Sequence, residues 1–297
     1  MTFVTKTKKD ADEERIFVVG GTGAVGGVVV QELVKRGAQV TVYARSPHKV
    51  QQDNAITVIQ GDYSDLTPLK KSIPGHHRLF LMVGEVHNIR DMVVSISKIA
   101  YAADIQQIVE ISAKRIPWRK FRIADGHIEA EKIVYALPEK RDSSYVSLRP
   151  TNFMSNLLVF YSDALKDKDA VVDTAAPDEP QEWISPNDIA HVAARILCDP
   201  IEKHQDAAYE LVGDIKTPTE RATILSKVLG RTITYERIPV QDIYNKFIEA
   251  GVDHATAYYL ASYQDVSPVT RGLPILLGGQ SPETFDVWAN KNRDLLL

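Results

Sequence analysis

The chain has 297 residues, 44% hydrophobic and 25% charged, an ordinary globular composition with enough length for a sizeable core. Lysine and arginine (35) nearly cancel aspartate and glutamate (39), leaving a formal charge of −4 and no electrostatic footprint for nucleic acid. The single Cys198 excludes an internal disulfide, no apolar run reaches the ~20 residues of a bilayer span, and no signal core is visible, which together point to a cytoplasmic protein.

Residues 1–14 read as a charged tail. Short β-branched runs then alternate with longer amphipathic ones. Strands are expected at Ile16–Gly20, Val40–Ala44, Ile56–Gln60, Arg78–Val83, Gln107–Ser112 and Tyr145–Arg149, with helices such as Gly26–Arg36, stopped by Gly37, and Asn88–Ala103. Alternation of this kind implies a parallel sheet covered on both faces. After Pro150 the pattern loosens. A helix is expected over Asn152–Asp163, a charged surface excursion over Lys166–Pro180, and a capped helix over Asn187–Leu197, followed by Cys198 as a buried structural thiol. Strands Ala208–Val212 and Ile233–Ile238 flank a helix Thr219–Leu229, and helical pieces broken at Pro268, Pro274 and Gly278–Gly279 complete the chain. The expected fold is α/β: a Rossmann-type doubly wound parallel sheet over 15–155, to which 184–213 returns. A smaller, mostly α substrate lobe is built from 156–183 and 214–297.

The strongest chemical signal is Gly20-Gly21-Thr22-Gly23-Ala24-Val25-Gly26, between the first strand and the first helix. Gly20 permits a tight turn, Gly23 lets backbone approach a pyrophosphate, and Gly26 allows close helix–strand packing. The helix N-terminus offers N–H groups and partial positive charge to phosphates. At the end of the second strand, where NAD-binding folds place an acid, this chain reads Ala44-Arg45-Ser46-Pro47-His48-Lys49. Arg45 suits a 2′-phosphate through its planar fork and Lys49 adds a point charge, so the expected cofactor is NADP(H). Asp62 and Tyr63, closing the third strand, are placed for the adenine side.

The motifs GGTGAVGG, ARSPHK, GDYSD, ADGHIEAEK, LRPTNFMSN, ISPNDIAHVAARIL and YELVG stand here in one order. In them the chain resembles the NmrA-like branch of the atypical short-chain dehydrogenase/reductases, closest in motif to bacterial quinone oxidoreductases and dye reductases. That resemblance implies NADPH across the sheet and a small-molecule acceptor in the cleft against the second lobe. The Tyr-x-x-x-Lys of the wider superfamily is replaced: the Tyr position is Ile123 and the Lys position is His127. Isoleucine carries no proton, so the usual carbonyl relay is not expected, and His127 is the candidate catalytic group.

Val83, Gly84 and Ser112, at the carboxyl edge of the sheet, with Pro150 and Thr151 after the sixth strand, are candidates for the nicotinamide and its ribose. Phe153, Met154 and Asn156 are candidates for the acceptor, with Trp118 as a stacking surface. No metal-ligand spacing and no nucleophile elbow occur. The leading expectation is an NADPH-dependent oxidoreductase reducing a quinone-like or conjugated acceptor. The alternative is a non-catalytic NADP(H)-binding sensor acting through protein partners. No motif specifies an oligomer, and a homodimer stays open.

Overall fold

The run Arg15-Ile16-Phe17-Val18-Val19 is apolar on both faces, which suits a strand only at the centre of a covered sheet. In the computed structural model it holds that place, and the structure describes residues 14–84, 88–114, 122–160, 162–261 and 273–297. The first half runs β1 (Arg15–Val19), α1 (Gly26–Lys35), β2 (Gln39–Ala44), β3 (Ile56–Gln60), α2 (Thr67–Ser72), β4 (Arg78–Leu81), α3 (Ile89–Ala102), β5 (Gln107–Ile111), α4 (Arg122–Tyr135) and β6 (Ser144–Pro150). Next come β7 (Asn152–Phe153), α5 (Asn156–Phe160), α6 (Ser162–Asp167), β8 (Ala170–Asp173), β9 (Gln181–Ile184), α7 (Pro186–Ile196), α8 (Ile201–His204) and β10 (Ala208–Leu211). The chain finishes with β11 (Asp214–Lys216), α9 (Pro218–Leu229), β12 (Thr234–Arg237), α10 (Val240–Glu249), α11 (His254–Ala261), α12 (Leu273–Leu276), α13 (Phe285–Lys291) and α14 (Arg293–Leu296).

Seven strands make one parallel sheet in the order β3-β2-β1-β4-β5-β6-β10. Strand order reverses between β1 and β4, and doubly wound sheets bind ligands in the crevice that such a reversal opens at their carboxyl edge. Alternate residues serve opposite faces. Ile16, Val18, Val40 and Val42 pack with Val29 and Leu33 of α1 and Ile189 and Ala193 of α7. Phe17, Val19, Leu79 and Leu81 pack with Val93 and Ile96 of α3 and Ala130 and Val134 of α4. A third cluster lies in the second half, where Leu225 of α9 and Phe285 and Trp288 of α13 meet Val171 and Trp183. Helix α9 is well bounded, by a Thr217–Glu220 capping box and by Gly230 at φ 70°. Among the described residues no helix is long and apolar enough to cross a membrane.

Three expectations are corrected. The segment expected as a helix over Asn152–Asp163 begins as strand: β7 pairs with β9, the Met154 N–H donates to Ile184 O at 2.9 Å, and helix starts only at Asn156. A tertiary pairing has overridden local preference. The expected surface excursion over Lys166–Pro180 contains β8, whose Ala170, Val171 and Val172 are buried and whose backbone pairs with β12. Charged neighbours hid a short β-branched strand. Cys198 is exposed, because α7 is capped at Leu197 and the chain turns outward there.

The C-terminal segment is fastened by carboxylates. Asp188, in the first turn of α7, accepts the Glu283 N–H at 2.8 Å, and Asp214 accepts the Phe285 N–H at 2.8 Å. Glu283 is held in turn by Ser185, Asn187 and Lys291. Burial pushes the Asp188 carboxyl up to about 6, with the nearby Glu283 charge adding and the Glu283 N–H opposing. The folded state therefore binds this proton more tightly than the unfolded chain. Its contribution to stability is fully present below about pH 4 and lost as pH rises through about 6. Asp188→Asn removes the titration. In urea unfolding, the variant's stability relative to the parent should rise by about 1.5 kcal/mol between about pH 5 and pH 7.5. A constant difference over that interval would assign the titration to another group.

Candidate functional site

The turn between β1 and α1 is built so that only glycine fits at its two ends. Gly20 has φ 89°, and a Cβ there would lie 2.4 Å from the Met82 carbonyl oxygen. A Cβ on Gly26 would lie 2.1 Å from the carbonyl oxygen of Gly20, so the start of α1 sits directly on the turn. Gly23, between them, is exposed and donates its N–H to Gly20 O at 3.3 Å. The N-cap Val25 supplies no side-chain acceptor and the first turn of α1 has no acid, leaving the helix N-terminus set for an anion. Gly26→Ala should cost about 1–3 kcal/mol of stability by overpacking and abolish measurable dinucleotide binding. Calorimetric titration that recovers parental affinity would show that the turn tolerates the shift.

A cavity of about 250 Å³ opens over this turn. Val19, Gly20, Thr22 and Gly23 line it from the turn, Ala44 and Arg45 from the end of β2, Asp62 and Tyr63 from the end of β3, and Gly84 from beyond β4. Of the lining residues, sequence reasoning missed Val19, Tyr43, Ala44, Gly61 and Met82 as site residues. Tyr43 explains the shape of the rim. Its hydroxyl donates to Asp62 O at 2.8 Å and to Asp65 O at 3.2 Å, and a Cβ on Gly61 would strike that hydroxyl at 2.3 Å. The Asp62 carboxylate accepts from Ser64 N–H and Oγ, and these bonds, with the Arg45 charge adding, hold it below its ordinary value. An acid ionised at neutral pH thus stands on the rim with Arg45.

Other candidates lie elsewhere. Lys49 is exposed on the short turn Pro47–Lys49 and does not line the cavity. Ala24 is exposed, while Val25 and Val83 are buried in the two sheet cores. Trp118 lies outside the described residues.

Farther along the carboxyl edge, β5, β6 and α4 enclose a buried polar layer. Glu131, 2% exposed, accepts from the Ser112 and Ser147 hydroxyls at 2.7 and 2.6 Å and pairs with the Arg149 guanidinium. Burial works to raise the Glu131 carboxyl, but bonds from Arg149, Ser147 and Ser112 hold it below its ordinary value. His127, 5% exposed, places Nδ1 at 2.6 Å from Oε1 of Glu110, which is fully buried. Ile123 packs against the second sheet core. Pro150 is buried, and Thr151 donates its Oγ to Leu211 O at 3.3 Å. Lys114 and Glu182 form a buried pair at 2.6 Å that joins the loop after β5 to β9. Phe153 and Asn156 are half-buried, while Met154 is fully buried in the third cluster. The structure thus brings the turn residues, Arg45, Asp62, Tyr63 and Gly84 into one cavity, and His127 and Ser112 into the polar layer beside β5.

The arrangement fits a dinucleotide. A Cβ-excluding cradle faces an uncapped helix N-terminus, a cation stands at the end of β2, and among the described residues beyond its chain neighbours no atom lies within 4 Å of a Cβ built on Gly84.

Comparison with known proteins agrees with that geometry. The chain is 30% identical over 254 residues to a (4-alkanoyl-5-oxo-2,5-dihydrofuran-3-yl)methyl phosphate reductase of Streptomyces griseus, covering 84% of this chain and 81% of the relative. It is 25% identical over 275 residues to an NAD(P)H azoreductase of Xenophilus azovorans, covering 87% and 93%. Among solved structures, an NADPH-dependent quinone oxidoreductase of Escherichia coli in complex with NADPH superposes with a TM-score of 0.76 at 26% identity, covering 95% of this chain and 99% of that one. The model of the NmrA-like family matches residues 12–268, and the chain belongs to that family.

Proposed function

We propose that the protein is an NADP(H)-dependent oxidoreductase that passes hydride to a quinone-like or conjugated small-molecule acceptor without a Tyr-x-x-x-Lys relay. The observation that carries the reading is the single cavity uniting the Gly20–Gly26 turn with Arg45. Its relatives named as reductases support the reaction class.

Bound NADPH supplies the hydride. The chain does the rest. Amides of the glycine turn and the α1 N-terminus hold the pyrophosphate, and the Arg45 guanidinium pairs with the 2′-phosphate. The open space beside Gly84 among the described residues would leave room for the nicotinamide half. Negative charge arriving on a quinone spreads over both oxygens, so a positioned imidazole on α4 supplies the electrostatic help that Ile123 cannot. The acceptor then sits between the carboxyl edge and the second-half lobe, near Phe153 and Asn156.

The test is direct. Purified protein should oxidise NADPH in preference to NADH when quinones, azo and triphenylmethane dyes or enones are supplied. Tight NADPH binding with no turnover across that panel sinks the reading and leaves a non-catalytic binder.

A further inference from the structure

The Glu110–His127 contact is unusual in its charge balance. Glu110 is the one acidic residue of β5, its side chain is 0% exposed, and its Oε2 has no hydrogen-bond partner among the described residues. The neighbouring groups cannot neutralise it. Glu131 on the same helix as His127 is itself an anion, and its bonds take up Arg149 of β6, Ser112 and Ser147. Tyr145 of β6 is fully buried, and burial with the Glu110 and Glu131 charges keeps its hydroxyl protonated. Tyr135 of α4 is pushed up to about 12 by burial and by Glu131, and Tyr101 of α3 donates to Ser144 O. Among the described residues the Tyr145 hydroxyl stands beside Glu110 as a neutral neighbour, and the His127 ring is the group hydrogen-bonded to it that can carry a positive charge.

A buried carboxylate without a counter-charge is strongly disfavoured, and the His127 ring is where such a counter-charge can stand. With Nδ1 committed to the carboxylate, Nε2 is the ring atom left for chemistry. We infer that Glu110 is a positioning residue: it fixes His127 as a charged ring with Nδ1–H on the carboxylate, so that Nε2–H is the donor to the reduced acceptor. This deepens the reductase reading and rests on it. When the acceptor has gained hydride and its electron pair, the Nε2–H bond breaks. The proton goes to an acceptor oxygen and the bonding pair stays on Nε2. The neutral ring keeps Nδ1–H on Glu110, and water reprotonates Nε2 before the next turnover.

The test compares the full-length parent with Glu110→Gln in two readouts. Nitrogen-15 NMR of the histidine rings, assigned with His127→Gln and recorded without cofactor, should show both ring nitrogens of His127 protonated in the parent and a neutral ring with mixed tautomers in Glu110→Gln. The alkaline limb of the kcat–pH profile with a quinone should move at least one unit lower in Glu110→Gln, while KM for NADPH changes less than about twofold. Identical ring states in the two proteins, or an unmoved alkaline limb, would overturn the inference. Should Glu110→Gln fail to fold, a parental His127 ring found lacking a proton on either nitrogen overturns it just as well. If the parent turns over no acceptor while the ring state still depends on Glu110, the reductase reading falls and the positioning of His127 stands.

Discussion

Replacing Arg45 with alanine is expected to weaken NADPH binding roughly 10- to 100-fold, the worth of one set of charge-assisted hydrogen bonds at about 1.5–3 kcal/mol. NADH affinity should change by no more than about twofold, because the ribose 2′-hydroxyl offers the guanidinium no charge. Arg45 is exposed at the end of β2 and lines the cavity, so the substitution alters the cavity rim and leaves the fold alone. Titration calorimetry with both dinucleotides checks this. Equal losses for the two would detach Arg45 from the 2′-phosphate. Raising the salt concentration should narrow the gap between parent and variant, since an exposed contact of this kind is screened.

Glu131→Gln is expected to be the most destabilising of these substitutions. The carboxylate is 2% exposed and holds three partners: Ser112 of the loop after β5, and Ser147 and Arg149 of β6. A neutral amide keeps one acceptor oxygen and turns an NH₂ toward Arg149, leaving a half-buried guanidinium without its anion. Breaking a buried pair from one side costs about 3–5 kcal/mol. Arg149 is partly exposed and can reach water, which favours the lower end. For a chain of this size that is a fall in Tm on the order of 10 °C. Differential scanning calorimetry would show it, and a shift below about 2 °C would mean that Arg149 is fully rehydrated and the layer contributes little.

Much of the nucleotide half was legible because its signals are local. β1 reads as a buried strand from five residues, and the turn after it is recognisable because Gly20 and Gly26 are glycines by steric necessity. Arg45 was legible because the end of β2 is a fixed place in any sheet of this order. What was not legible depends on residues far apart. Nothing near Asn152 and Phe153 announces that they pair with Trp183 and Ile184. Tyr43 falls inside an expected strand, and nothing beside it in the sequence announces that its hydroxyl holds the Asp62–Asp65 loop. Glu110 did leave a trace: a carboxylate in the middle of Gln-Ile-Val-Glu-Ile is out of character for a buried strand, and such a residue asks for a partner. Its partner was on α4, beyond the reach of any pattern along the strand.

The seventh strand has a consequence for how the protein is made. β10 is paired with β6 in the sheet, and α7 covers α1, yet both are synthesised after the excursion through β7, β8 and β9. A nascent chain that has released residue 155 therefore contains every residue lining the nucleotide cavity but presents β6 as a bare edge and α1 as a bare apolar face. Such an edge is a template for another chain's strand. Until Leu211 has left the ribosome the nucleotide half carries that open edge, and a gene fragment cut at 155 would carry the hazard permanently.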